Sequence, residues 1–232
     1  MARKVSRFFL ALALIALSRV ASAALIVDTG TPVPVAGSGG TSVSNGAFGP
    51  TQSVAGEFTT SQAFDITSLS AYVGIYAYSG QTTSVTDSFH IGLAAGPADP
   101  VDATFDTLFS LPASFSGEIG PYGNTPTGWA SASVQNYLLP AGTYWIVVSA
   151  ATTDSTLGLG LPSGAPDPLS GYATSGANAD GWSTLTVGPN GGPVSIGFQV
   201  DAVSPVPLPE SVYLLLSGIG ALWLLRSRRV AN

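Results

Sequence analysis

The sequence predicts an all-β fold, a two-sheet sandwich of jelly-roll-like form, on three observations. Helical periodicity is almost absent from the body of the chain. Glycine, serine, threonine and proline recur between short apolar runs at spacings suited to strands and turns. One long run, Leu69 to Tyr78, alternates strictly: Leu69, Ala71, Val73, Ile75 and Ala77 share one face, and Ser70, Tyr72, Gly74, Tyr76 and Tyr78 share the other. The aliphatic face is expected to point into a core. Two helices are expected outside this body, a signal helix at the N-terminus and a transmembrane helix at the C-terminus.

Taken in order, the chain begins with Arg3, Lys4 and Arg7 ahead of the apolar stretch Phe8 to Leu17, followed by Ala21-Ser22-Ala23. Basic residues, a short apolar run and small residues at the cleavage positions make a secretory signal peptide over 1–23, cut between Ala23 and Ala24. The alternative, an uncleaved anchor, needs a longer apolar run than this one. Residues 24–203 are then one β-sandwich domain, long enough for a core of ordinary size. Within it, Gly37 to Gln52 and Gly158 to Gly181 are rich in glycine and small polar residues and are read as loops. Strands are expected over Phe58 to Ile66, Leu69 to Tyr78, Val85 to Leu93, Thr104 to Phe109 and Ala130 to Leu138. A turn at Pro140-Ala141-Gly142 leads into Thr143 to Ser149, which is β-branched or aromatic on both faces, as a central strand covered on both sides would be. Two further strands are expected, Trp182 to Val187 and Val194 to Val200. Trp129, Trp145 and Trp182 are read as core residues.

The last segment, 204–232, has its own order. A stiff linker, Ser204-Pro205, runs into the motif Val206-Pro207-Leu208-Pro209-Glu210. An uncharged stretch of 14 residues follows, Val212 to Leu225, and then the basic stop Arg226-Ser227-Arg228-Arg229. As a helix those 14 residues cover ~21 Å of a ~30 Å hydrocarbon core, a marginal span that Ser211 and a snorkelling Arg226 extend. Arg226, Arg228 and Arg229 stay on the cytoplasmic side, which places the body outside.

The motif, the apolar helix and the arginine cluster together resemble the PEP-CTERM sorting domain of Gram-negative bacteria, in a Val-Pro-Leu-Pro variant where Leu208 stands in place of the name-giving glutamate. The resemblance covers about a tenth of the chain. It implies export, transient attachment to the inner membrane through the C-terminal helix, and recognition by an exosortase-type membrane transpeptidase after signal peptidase has acted. It further implies a final place at the cell surface or outside the cell, in bacteria that make exopolysaccharide. The run Ala141 to Val148 also resembles a strand that recurs in the bodies of such proteins. The other reading of the C-terminal segment is a simple tail anchor behind a proline linker.

Charge excludes more than it assigns. All seven basic residues lie at the two ends, and none occurs from 20 to 225; the 13 acidic residues, Asp28 through Glu210, all fall inside that gap. Nucleic acid is ruled out as a partner and phosphorylated or sulfated ligands are disfavoured, because both rest on Lys and Arg. Neutral sugars, cations and protein partners remain. There is no cysteine, so stability comes from the core without disulfides.

Catalytic constellations are missing. His90 is the only histidine and alternates with Phe89 and Ile91 as an outward strand position does; no second His or Cys is present to complete a zinc site or a triad. No Gly-x-Ser-x-Gly elbow occurs, and a body without lysine has no Schiff-base or Ser-Lys chemistry. The expectation is a protein that is not an enzyme and needs no cofactor. Asp99, Asp102 and Asp106 form the densest acidic group and could offer oxygen ligands to Ca²⁺, though their spacing matches no EF-hand and Asp beside Pro and Gly makes turns. Tyr72, Tyr76 and Tyr78, on one strand face, could stack sugar rings, or could lie under a covering layer. The function expected is that of an exported structural or adhesive protein of the cell surface or matrix. The alternative is a carbohydrate-binding module for a neutral glycan.

Overall fold

Twelve strands and no helix make up the described part of the computed structural model, which comprises residues 23–33, 41–43, 52–76, 84–96, 105–118, 126–151, 158–175, 182–185 and 194–204. In chain order the strands are β1 (Ala23–Asp28), β2 (Thr41–Val43), β3 (Ser53–Thr60), β4 (Phe64–Tyr76), β5 (Ser84–Ala95) and β6 (Asp106–Glu118). They continue with β7 (Thr127–Leu139), β8 (Gly142–Ala150), β9 (Gly158–Leu161), β10 (Gly171–Ser175), β11 (Trp182–Thr184) and β12 (Phe198–Val203). All belong to one compact unit, Ala23–Val203. Among the described residues no helix is long and apolar enough to cross a membrane.

The strands form two antiparallel sheets of six. The first runs β1-β12-β4-β9-β2, with β7 added on β4; the second runs β11-β10-β3-β8-β5-β6. Gly74 pairs with both Thr127 of β7 and Gly160 of β9, so β7 takes one edge of β4 while β12 and β9 share the other end to end.

One apolar core joins the sheets. From the first come Leu69, Ala71, Val73, Phe198 and Val200, and from the second Val54, Phe58, Phe89, Ile91, Leu93, Ile146 and Val148. The alternation expected along β4 is realised: Leu69, Ala71, Val73 and Ile75 are fully buried. β8 is central, between β3 and β5. Its Ile146 and Val148 enter the core, while Trp145 is buried on the opposite face with Ala55, Ala94 and Ala173. A small second cluster therefore covers the outside of this sheet, as expected for a doubly covered strand. There Phe105 stacks on Trp145 at 4.9 Å and on Trp182 at 4.6 Å.

The structure corrects three readings of the sequence. The strand expected over Phe58 to Ile66 is two strands, because the chain reverses at residues 61–63 between β3 and β4. The presumed loop from Gly37 to Gln52 contains β2, and the one from Gly158 to Gly181 contains β9 and β10. Gly171 opens β10 close to its neighbours: a Cβ there would lie 3.1 Å from Glu57 Oε2, which would have to give slightly, and in ordinary contact, 3.5 Å, with the Trp145 ring. Composition alone does not separate such packing glycines from loop glycines. The third concerns the tryptophans: Trp145 is core, but Trp129 and Trp182 are half-buried on the outer faces of the two sheets.

Candidate functional site

The outer face of the first sheet brings together a row of polar side chains with an aromatic pair at one end. β7, β4, β12 and β1 lie side by side there. The register sets Trp129 opposite Tyr72, Ser131 opposite Ser70, and Ser133 opposite Ser68. On the other side of β4, Gln199 meets Ser70 and Asp201 meets Ser68, and Asp28 of β1 follows beside Gln199.

At one end of this face the Tyr72 and Trp129 rings meet edge to face, 5.5 Å apart and 76° between planes. The Tyr72 hydroxyl shares a hydrogen bond with Thr127 Oγ1 at 3.0 Å, and the Trp129 indole N–H donates to Thr31 Oγ1 at 3.3 Å. The backbone at Gly197 makes room for this corner, since a Cβ there would lie 2.6 Å from Tyr72 Cβ and 2.7 Å from Pro32 Cδ. Along the middle, side chains satisfy one another. Ser70 and Ser131 hydroxyls pair at 2.7 Å, Ser68 donates to Asp201, and Gln199 Nε2 donates to Asp28 Oδ1 at 3.0 Å.

At the other end the sheet is irregular. Ile66 pairs with Tyr137 and Ser68 with Ser133, so one residue of β4, Thr67, faces three of β7, Val134, Gln135 and Asn136. Extra residues in one strand bend it and turn its side chains out of the regular alternation. This bulge is the feature that reading the sequence missed, because nothing in Ser133 to Tyr137 marks a break.

Of the three tyrosines expected to form a platform, Tyr72 lies on this face. Tyr76 ends β4, where its backbone pairs with Gly158, and Tyr78 lies outside the described residues. The aromatic neighbour of Tyr72 is Trp129, from another strand. His90 lies half-buried on the outer face of the second sheet, between Pro112 and Ser149. Asp106 opens β6 and is exposed, whereas Asp99 and Asp102 lie outside the described residues; among those described, no group of three or more His, Cys, Asp or Glu could hold a metal ion. Ala23 and Ala24 begin β1, paired with Val203 and Ala202. Ala21, the motif Val206 to Glu210, and Arg226, Arg228 and Arg229 all lie outside the described residues.

Burial raises the pKa of three groups among the described residues, Asp87, Tyr144 and Tyr172, and none is on this face. Burial pushes the Asp87 carboxyl above its ordinary value, against a smaller opposing effect of the hydrogen bond from the Ser88 amide. Burial likewise raises the Tyr172 phenol, against hydrogen bonds from the Leu169 and Ile196 backbone. Tyr172 hangs between segments that close one side of the core and has a structural place there.

The chain matches no protein-family model, and no curated protein shows significant similarity to it. What fold and face define is a class: an acidic two-sheet β domain with a polar, aromatic-cornered outer surface.

Proposed function

We propose that this protein is exported and acts as a structural or adhesive component of the cell surface or extracellular matrix, without catalytic activity or a required cofactor. One observation carries the reading: every basic residue of the chain flanks an apolar run at one of its two ends, in the order of a secretory signal and then a proline motif, helix and basic stop. Signal peptidase removes residues 1–23, the C-terminal helix holds the chain in the inner membrane, and an exosortase-type transpeptidase processes it near Val206 to Glu210. The body is delivered as a jelly-roll-like sandwich between these two terminal helices. A body with acidic residues and no Lys or Arg suits a domain that remains soluble among neutral polysaccharides.

The test is the C-terminal mass of the protein recovered from cells. Proline fixes φ and keeps its predecessor out of the helical region, so Pro207 and Pro209 stop the membrane helix from growing outward and present an extended segment. Replacing both with alanine leaves export intact but yields a membrane-bound chain that retains Arg226 to Arg229. Wild-type protein that also retains Arg228 and Arg229, with the variant behaving identically, would show that the segment is only a tail anchor.

A second reading, binding of a neutral glycan, is favoured by the Tyr72 and Trp129 corner, whose rings and hydroxyl-bearing neighbours match the mixed apolar and polar surface of a sugar. Retention of the full chain on neutral oligosaccharides is its test.

A further inference from the structure

Two shallow cavities flank the bulge in β7. The larger, about 480 Å³, is lined by Asp65, Ile66, Thr67, Val134, Gln135 and Val203. The other, about 340 Å³, is lined by Phe109, Leu111, Ser133, Val134, Gln135 and Tyr137. Val134 and Gln135 line both, so the groove has two lobes, one on each side of the bulge: the first is bordered by β4 and β12, the second by β6 of the other sheet. Each is within the range of roughly 300–1,000 Å³ usual for small-molecule sites.

One lobe of the groove is walled by β6 of the second sheet, and the groove differs from the outer face of the first sheet in how its polar groups are used. Around Tyr72 and along the serine rows, hydroxyls, amides and carboxylates are bonded to one another. In the groove, the side chains of Asp65, Thr67, Ser133, Gln135 and Tyr137 have no hydrogen-bond partner among the described residues. Their donors and acceptors are free for a ligand, within reach of apolar surface on Val134 and on the Phe109 and Tyr137 rings, whose centroids are 4.6 Å apart. We propose that this groove is a binding site for a neutral sugar, with hydroxyls taken by Gln135, Asp65, Thr67 and Ser133, and an apolar ring face laid on Val134 and the aromatic pair.

Charge selects this ligand class. With no Lys or Arg from 20 to 225, nothing in the body neutralises an anionic ligand. Asp65 is the one carboxylate lining the groove, and a hard cation needs several converging oxygens. A hydroxylated, uncharged molecule uses what remains: an amide and hydroxyls that both donate and accept, and one strong acceptor. The proposal rests on the glycan reading and relocates its main contacts from the Tyr72 corner to the bulge.

The test is titration of the full chain with cello-, malto-, manno- and galacto-oligosaccharides, followed by ligand-observed NMR and calorimetry. One of these is expected to bind, and Gln135→Ala and Asp65→Ala each to weaken that binding about tenfold, the loss of one good hydrogen bond. Ser131→Ala, which touches only the internally bonded row, leaves affinity unchanged. Gln135 is exposed, so its variant keeps the wild-type melting curve, and Ser133→Ala supplies a second groove variant of the same kind. Wild-type protein that binds none of the four series overturns the glycan reading and the groove with it. Binding that survives the groove variants but is lost in Trp129→Ala keeps the glycan reading and overturns the groove.

Discussion

Replacing Tyr172 with phenylalanine removes one oxygen and should cost this domain more than most core truncations of that size. The Tyr172 hydroxyl accepts the Leu169 amide at 3.1 Å and the Ile196 amide at 3.2 Å, and donates to the Ile196 carbonyl at 3.3 Å. Tyr172 is only 4% exposed, and its ring packs in the main core. Phenylalanine keeps the ring and leaves two amides without an acceptor. The Ile196 amide is fully buried, so its loss approaches the whole penalty for an unsatisfied donor, ~1–3 kcal/mol; the half-buried Leu169 amide adds less, because water reaches it. The sum is about 2–3 kcal/mol, a fall in Tm of roughly 4–12 °C for a domain of this size. Thermal and urea unfolding followed by circular dichroism measure it, with an unchanged urea slope showing that the fold is kept.

The same substitution has a signature in pH. Burial raises the Tyr172 phenol above its ordinary value of 10.0, so the folded state holds its proton more tightly than the unfolded chain does. That preference stabilises the wild type fully below the ordinary value, and is lost as pH rises through it toward the folded value. The gap between wild type and Tyr172→Phe therefore narrows in alkali. A variant that melts within a degree or two of wild type at neutral pH would refute the role given to the hydroxyl.

Other expectations concern different parts of the chain. A Cβ on Gly92 would lie 2.2 Å from the Phe109 carbonyl oxygen of the neighbouring strand, so Gly92→Ala should displace β6 from β5 and cost ~1–3 kcal/mol, read from urea unfolding. Asp87 is 5% exposed and its carboxyl is raised above 3.8 by burial, so its contribution is favourable in acid and fades as pH rises through the folded value; Asp87→Asn should match wild type at low pH and exceed it in stability at neutral pH. N-terminal sequencing of the exported protein should begin at Ala24, and recovery of Phe8 to Leu17 would contradict the signal peptide.

What the sequence determined by itself is what depends on near neighbours along the chain. Leu69 to Ile75 alternates with a period of two, and that alone places its aliphatic residues in the core. Thr143 to Ser149 is apolar on both faces, and β8 is covered on both. The distribution of charge, with every cation at the ends, is likewise complete before any folding. Tertiary structure decided the rest, because it depends on which distant residues meet. Trp129 reads as a core residue until the register sets it against Tyr72 and hands its indole N–H to Thr31, 98 residues away. β9 and β10 read as loops because glycine and small residues dominate their surroundings, and only their pairing with β4 and β2, and with β3, makes them strands. The groove was invisible for the same reason. Val134 and Gln135 continue an unremarkable strand in sequence, and come to line the two cavities only where β7 fits three residues against one of β4. Periodicity is local and survives in a bare sequence, whereas pairing and bulges are settled by long-range contacts that only the folded chain contains.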